Sequence, residues 1–339
     1  MGCGDTGLVL SGGGGKGIYQ VGILKALAEA GLLNDIVAVS GSSIGGINAV
    51  LFAEGLADGG LDQAIKQMEE AWNDINFEVL FNIDVNSLSA GDNHFSRNET
   101  KKLIDKYLNY DLLKDSIKII MTGSKCPESI KTSQQITDEE MKLLWTTSTE
   151  ETYKDYEVEY FYINDKSPEY VKSAILATSS LPVIYSPVEL EGKLYIDGGL
   201  KDNTPIKPLY DMGIRRFIVI ELSQKSYIKD VENYADAEII DILPSIDLGK
   251  LFDGTLNFDK DDKAFKKYFA ELEGKRYIKT LFEKDESYIA IQDSLARLDL
   301  ENAKKMAAFD KKYDDLSGSV NRNLDYINKL EESLKKYDL

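Results

Sequence analysis

Ser43 stands in Gly41-Ser42-Ser43-Ile44-Gly45, a Gly-x-Ser-x-Gly pattern. A serine on a very sharp strand-to-helix turn has strained backbone angles and leaves room only for small residues two positions to either side, which Gly41 and Gly45 supply. Such a turn exposes the hydroxyl at the N-terminus of the next helix, whose dipole favours developing alkoxide charge. This is nucleophilic chemistry, and it needs a base. The one histidine, His94, lies in the polar stretch Asp92-Asn93-His94-Phe95 and does not come last, as the serine, acid, histidine order would have it. It reads as a loop histidine. A carboxylate must then serve, and Asp197 is the best placed. It ends an apolar run that reads as a strand of a parallel sheet, where such folds put their chemistry, and Gly198 and Gly199 let other backbone approach it. An ordinary Asp-Gly turn is the plainer alternative.

The second chemical segment is Gly12-Gly13-Gly14-Gly15-Lys16-Gly17, directly after the apolar run Gly7–Leu10. As Gly12-x-Gly14-x-x-Gly17 it fits a dinucleotide-binding turn, which wants an acidic residue near the end of the second strand to hold a ribose. Val39-Ser40-Gly41 stands there instead, with Asp35 at that strand's start. As an oxyanion hole, the same glycines would aim unhindered N–H groups at a carbonyl oxygen that becomes negative. A purely structural turn is the third reading.

The elements that must position these residues follow from periodicity. Gly7–Leu10 and Ile36–Val39 read as buried strands; Ile18, Val21, Leu24 and Leu27, then Ile44, Ile47, Val50 and Leu51, read as helices, making a βαβα unit with parallel strands. Further on, Ser96 with Glu99 predicts a capping box for a helix through Leu108. Ile117–Met121, Val158–Ile163 and Phe217–Leu222 predict strands. A polar insertion, Gly123–Tyr156, carries a short helix at Asp138–Trp145. Ser167-Pro168 opens a helix to about Thr178, Glu191-Gly192 turns a hairpin, and Asp202-Asn203-Thr204-Pro205 starts another helix. From about Ser287 two apolar stripes, Ile291 to Tyr313 and Val320 to Tyr337, predict a helical hairpin. The division expected is residues 1–280 as the main domain and 281–339 as a helical extension.

Composition removes several function classes. The 58 acidic residues against 40 basic give a charge of −18, which repels nucleic acid. Cys3 and Cys126 match no disulfide or zinc spacing, and one histidine cannot make a histidine-rich metal site. The apolar runs are too short to span a bilayer, and no secretion signal is read at the start, so the expectation is a cytoplasmic protein capable of peripheral membrane contact. Met1-Gly2-Cys3-Gly4-Asp5-Thr6 fits the loose myristoylation pattern, but the neighbouring Asp5 argues for an unmodified start.

Together and in this order, Ser11–Gly17, Gly41–Gly45 and Asp197-Gly198-Gly199 resemble the patatin-like phospholipase family. Ala177-Thr178-Ser179-Ser180-Leu181-Pro182 and Asp202–Pro205 extend the likeness over residues 7 to 222, and Gly254–Phe258 carries it further. Lys16 stands where arginine is frequent, and the insertion and the terminal helices lie outside the pattern. The resemblance implies a three-layer α/β/α hydrolase domain with a mainly parallel central sheet, followed by the helical C-terminal extension. It implies a serine lipid acyl hydrolase acting on phospholipid or lysophospholipid esters through Ser43 and Asp197 and an acyl-enzyme. Gly12, Gly13, Gly14 and Gly15 would form the oxyanion hole, Lys16, Gly17, Gly41, Gly45, Gly198 and Gly199 would support the motifs, and no cofactor or metal is expected. The partner expected is lipid or a membrane surface, with the C-terminal helices a candidate protein-binding arm. The competing readings are a dinucleotide-dependent oxidoreductase and a non-catalytic binding protein of the same fold.

Overall fold

In the computed structural model the chain is described over residues 5–76, 79, 97–130, 153–182 and 184–292, and at 294, 295, 297, 298, 301, 302, 304–306 and 312. His94, Ser96, the helix expected at Asp138–Trp145 and the stripe from Val320 lie outside the described residues. By packing, the chain divides into two units, Met1–Ile278 and Lys279–Leu339. The second is helical over residues 286–292.

Among the described residues the first unit is built on an eight-stranded sheet. β1 (Thr6–Leu10), β2 (Ile36–Ser42), β3 (Lys118–Lys125), β7 (Arg216–Ile220) and β8 (Glu238–Ile242) are mutually parallel in the order β3-β2-β1-β7-β8. The near-continuous apolar runs of β1 and β7 are what burial on both faces requires, whereas β8, at the sheet edge, is partly exposed. Val9, Ala38, Ile120, Phe217 and Val219 pack on one face against Ile206, Leu209 and Ile214, around the short helix α7 (Lys207–Asp211). On the other face lies α2 (Ile44–Gly59), packed on β2 and β3, with α3 (Leu61–Asp74) beside it. There too α1 (Ile18–Glu29) packs along the long helix α8 (Lys260–Tyr277). These are the three expected layers.

The remaining strands are antiparallel. β4 (Glu157–Tyr162) pairs with β3, and the hairpin of β5 (Val188–Leu190) and β6 (Lys193–Asp197), turned at Glu191-Gly192, joins β3 through β6. The strand that ends at Asp197 is therefore antiparallel, and the parallel placement expected for it is corrected. Two helix starts also differ. α4 (Asn98–Tyr107) has Arg97 at its N-cap with no side-chain cap bond, and Glu99 pairs with Lys102 at 2.6 Å instead of reaching back. α7 begins at Lys207, not at Asp202. Pro205 disfavours the helical conformation at Thr204, so the helix waits until Pro208 can sit in its first turn. α5 (Tyr110–Asp115) follows α4, and α6 (Pro168–Thr178) starts as read, with the Ser167 hydroxyl accepting from Tyr170 N–H at 3.3 Å.

The turn from β2 into α2 is the tightest point of the unit. A Cβ on Gly45 would stand 2.1 Å from the carbonyl oxygen of Leu10 in β1, and one on Gly41 2.3 Å from the Gly45 carbonyl oxygen. Neither neighbour is a side chain that can swing aside. Gly45→Ala should therefore cost about 3 kcal/mol or more of unfolding free energy, at or above the upper end of ordinary overpacking. Gly60→Ala, where φ is +85° but nothing lies within 4 Å, should cost only about 1–2 kcal/mol. Urea titrations of both variants check the order; equal losses would mean that the turn tolerates a methyl group.

Candidate active site

β2 ends at Ser42, which is paired with Thr122 of β3. The next position on β3, Gly123, is paired with Asp197, the last residue of β6. β4 occupies the opposite edge of β3 from Ile120 to Lys125, so β2 and β6 share one edge and meet end to end. Their antiparallel sense brings two C-terminal strand ends together. At that junction the Ser43 hydroxyl donates to Asp197 Oδ2 at 2.7 Å.

Both residues are held from several sides. Ser43 has φ 53° and ψ −125°, a conformation non-glycine residues rarely adopt, which costs on the order of 1–3 kcal/mol. Its N–H donates to Thr178 Oγ1 at 3.0 Å, and its carbonyl accepts from Gly46 and Ile47 in the first turn of α2. The Asp197 N–H donates to the Ser180 carbonyl at 2.9 Å, its own carbonyl accepts from Ser124 Oγ at 2.8 Å, and its Oδ1 accepts from Gly199 N–H at 2.8 Å. Burial pushes the Asp197 carboxyl up from 3.8 to about 6, against the opposing pull of the Ser43 and Gly199 hydrogen bonds and of Arg97. Arg97 is enclosed nearby. Its guanidinium stacks 3.9 Å above the Tyr185 ring and donates to the Leu176 carbonyl at 2.6 Å and to Ser180 Oγ at 3.0 Å. Burial lowers it to about 10, so it is still a cation at neutral pH.

The glycine run is held by buried amides. Gln20 Nε2 donates to the Ser11 carbonyl at 2.8 Å, and Asn48 Nδ2 donates to the Gly17 carbonyl at 3.0 Å and to Gln20 Oε1 at 2.8 Å. Trp72 Nε1 completes the group by donating to Asn48 Oδ1 at 2.9 Å. Asn203 clasps Gly12 from 191 positions further along the chain. Its Oδ1 accepts from Gly12 N–H at 3.1 Å, and its Nδ2 donates to the Gly12 carbonyl at 3.3 Å. The Gly12 N–H is thus engaged, whereas among the described residues no acceptor takes the N–H of Gly13 or Gly14. Gly14 has φ +59°, and its Cβ would stand 2.1 Å from the Thr255 carbonyl oxygen; one on Gly15 would stand 1.9 Å from that of Asn257. The chain's own backbone lies against the run, and these carbonyl oxygens would repel a pyrophosphate brought to it.

Gly12, Gly13, Gly14, Ser43, Asp197 and Gly199 line one cavity of about 250 Å³, with Arg97 and Asn203 beside them and a largely apolar remainder that includes Ile44, Leu181, Leu200 and Phe258. Gly15, Lys16, Gly17, Gly41, Gly45 and Gly198 do not line it. Lys16 is part-buried, and burial lowers its ammonium pKa with Asp247 opposing. Reasoning from sequence missed Asn203, Thr178 and Arg97 as parts of this site. Thr178 and Asn203 lie inside the stretches that carried the family resemblance, and that was the available signal; Arg97 had none. Among the described residues no three or more His, Cys, Asp or Glu cluster as a metal site would need, and no helix is long and apolar enough to cross a membrane.

Comparison with known proteins shows the family. The family model described as Patatin-like phospholipase matches residues 8–210. Patatin-like phospholipase domain-containing protein 7 of Rattus norvegicus is 28% identical over 234 residues, covering 68% of this chain and 14% of that protein. Lysophospholipase NTE1 of Cryptococcus neoformans var. neoformans serotype D (strain JEC21 / ATCC MYA-565) is 27% identical over 226 residues, covering 65% of this chain and 11% of that protein. The chain thus matches a small part of the length of these relatives. Among solved structures, human GIVD cytosolic phospholipase A2 aligns with 85% of this chain and 63% of its own, at 10% identity and a TM-score of 0.45. With a family match spanning more than half of its residues, the chain belongs to the patatin-like phospholipase family.

Proposed function

We propose that this chain is a lipid acyl hydrolase that cleaves fatty-acyl esters of the phospholipid or lysophospholipid class through a Ser43–Asp197 dyad. The observation that carries the reading is the 2.7 Å hydrogen bond from the Ser43 hydroxyl to a buried carboxylate inside an apolar cavity. Ser43 Oγ attacks the ester carbonyl while Asp197 Oδ2 takes its proton. The N–H groups of Gly13 and Gly14 receive the oxyanion, and Gly12 positions them through its bonds to Asn203. The alcohol leaves with the proton held by Asp197, and an acyl-enzyme is left on Ser43. Water, giving its proton to Asp197, attacks the acyl carbon; the Ser43 Oγ–acyl bond breaks, Ser43 Oγ takes that proton back, and the fatty acid leaves. A carboxyl raised to about 6 is a stronger base than an ordinary aspartate and is still ionised at pH 7. We assign this chemistry to residues 1–280 and none of it to the helical extension 281–339. The substrate is presented at a lipid surface, with the chain a peripheral visitor there.

A fluorophosphonate should label the protein on the peptide that contains Ser43, and Ser43→Ala should abolish labelling and lower ester turnover by several powers of ten. Label recovered on another serine sinks the assignment.

The kcat/KM of the parent should rise with pH through an apparent pKa near 6, because only ionised Asp197 accepts the proton. Asp197→Asn should remove that rise and most of the activity. Stability should move the other way. A carboxyl raised on folding favours the folded state below about pH 4 and loses that contribution as pH climbs through 6. The Asn variant should therefore gain on the parent between pH 4 and pH 8, by on the order of 2–3 kcal/mol in denaturant titrations. A gap between the two proteins that does not change with pH would refute the raised carboxyl.

Asn203→Ala should lower kcat about tenfold or more with a smaller change in KM, because it loosens donors needed only when the oxyanion exists. A change confined to KM would place Asn203 in ground-state binding instead.

A further inference from the structure

Ile47, Ile75, Leu103 and Ile104 line the candidate active-site cavity, and the same four side chains line a second, apolar cavity of about 40 Å³ beside it, the annex. The walls beyond them are Val50, Leu51, Ala71, Tyr107, Leu108 and Ile175. Tyr107 is the only polar side chain among these, and its hydroxyl is committed, 2.7 Å from Asp74 Oδ2 and 3.0 Å from the Glu70 carbonyl. The annex offers nothing to a head group. Interiors are close-packed, with few voids, and apolar cavities stay dry, so unfilled apolar space next to a nucleophile suits an alkyl chain.

The helices give this space a direction. Ile44, Ile47, Val50 and Leu51 stand one, four, seven and eight residues after Ser43 on α2, so they form one stripe running away from the hydroxyl. Leu103, Ile104, Tyr107 and Leu108 make the facing stripe at the end of α4, and Ala71 and Ile75 close the side from α3. We infer that this annex is the acyl-chain site: the fatty-acyl tail of the ester held at Ser43 passes between Ile47, Ile75, Leu103 and Ile104 and ends against Val50, Leu51 and Leu108. The inference rests on the hydrolase reading above and adds the determinant of acyl length. From Ser43 to the level of Leu51 is about 12 Å along α2, and an extended chain at about 1.3 Å per carbon fills it with roughly nine carbons. A decanoyl chain reaches the floor, and a butyryl chain stops short of the annex. Each further methylene buried is worth about fourfold in binding.

The test compares kcat/KM for p-nitrophenyl butyrate, decanoate and tetradecanoate. In the parent, decanoate should exceed butyrate at least tenfold. Val50→Phe, which fills the annex, should lower the decanoate-to-butyrate ratio tenfold or more. Leu108→Ala, which deepens the floor, should raise the tetradecanoate-to-decanoate ratio severalfold. Ratios divide out any general loss of active protein, and if Val50→Phe does not fold, Leu108→Ala carries the test alone. A parent that hydrolyses these esters, with ratios unmoved by the substitutions that fold, overturns the annex and leaves the hydrolase reading standing. A parent inert to all three esters removes that reading itself, and the acyl site with it.

Discussion

Everything in the candidate site depends on two strands ending against the same edge of β3. β2 reaches Ser42 opposite Thr122, and β6, running the other way, reaches Asp197 opposite Gly123. Adjacent positions on one continuous strand thus fix the separation of the serine and the carboxylate, and a ladder is a rigid ruler. A parallel strand could not do this, because its C-terminal end would lie beside β2 and not head-on to it. The β5–β6 hairpin is therefore more than an edge decoration on a parallel sheet: it reverses the chain so that Asp197 faces the turn after β2. Ser124, one step further along β3, then fixes the Asp197 backbone through its carbonyl at 2.8 Å.

Such a junction is costly, and the rest of the unit absorbs the cost. A positive φ at Ser43 and a carboxyl buried until its pKa reaches about 6 each oppose folding by a few kcal/mol, against a total stability of about 5–15 kcal/mol for ordinary domains. The opposing contributions sit directly behind the site. Leu8, Val9, Leu10, Ala38 and Val39 are fully buried in the two strands that lead to it. Around the glycine run, Gln20, Asn48 and Trp72 satisfy one another and the backbone, so the buried polar groups there are not left without partners. Full satisfaction gives such a network a single arrangement, which holds the glycine run in one place.

What could be read from sequence follows chain distance. The strand, glycine run, helix, strand, elbow and helix of residues 6–59 were legible because each is set by neighbours a few positions away: apolar period, glycine where a Cβ would collide, a break at Gly31. The supports of the site were not. Asn203 clasps Gly12 across 191 positions, Thr178 accepts from Ser43 across 135, and Arg97 donates to Ser180 across 83. No periodicity encodes such pairs. The misread start of α7 has the same origin. Asp202-Asn203-Thr204-Pro205 carries the residue types of a helix cap, but the Asn203 side chain is taken by Gly12, and Thr204 Oγ1 donates to the buried Glu221 at 2.9 Å. Tertiary partners took the local signal over. Likewise, the parallel sense expected for β6 came from reading the strand end at Asp197 without following the hairpin that delivers it.

The four consecutive glycines illustrate how one composition serves separate physical demands. A run of this kind after a strand invites the reading of a phosphate cradle, in which the missing side chains make room for a ligand. Here the contacts differ from residue to residue. Gly12 is close to Asn203 and to Ser43, whose Cβ would stand 3.0 Å from a Cβ on Gly12; Gly14 and Gly15 are close to the carbonyls of Thr255 and Asn257. A Cβ on Gly13 would stand 2.9 Å from the Leu222 side chain, so all four glycines admit the chain's own groups. Gly13 and Gly14 line the cavity, and among the described residues no acceptor takes their N–H groups. In the reaction proposed above, packing from behind holds these donors in place, and a donor pair already in place costs no reorganisation when the oxyanion forms. The segment around Thr255 and Asn257, though distant in sequence, backs the glycine run and lines the same cavity through Thr255 and Leu256, and therefore belongs to the same physical unit as the serine and the carboxylate.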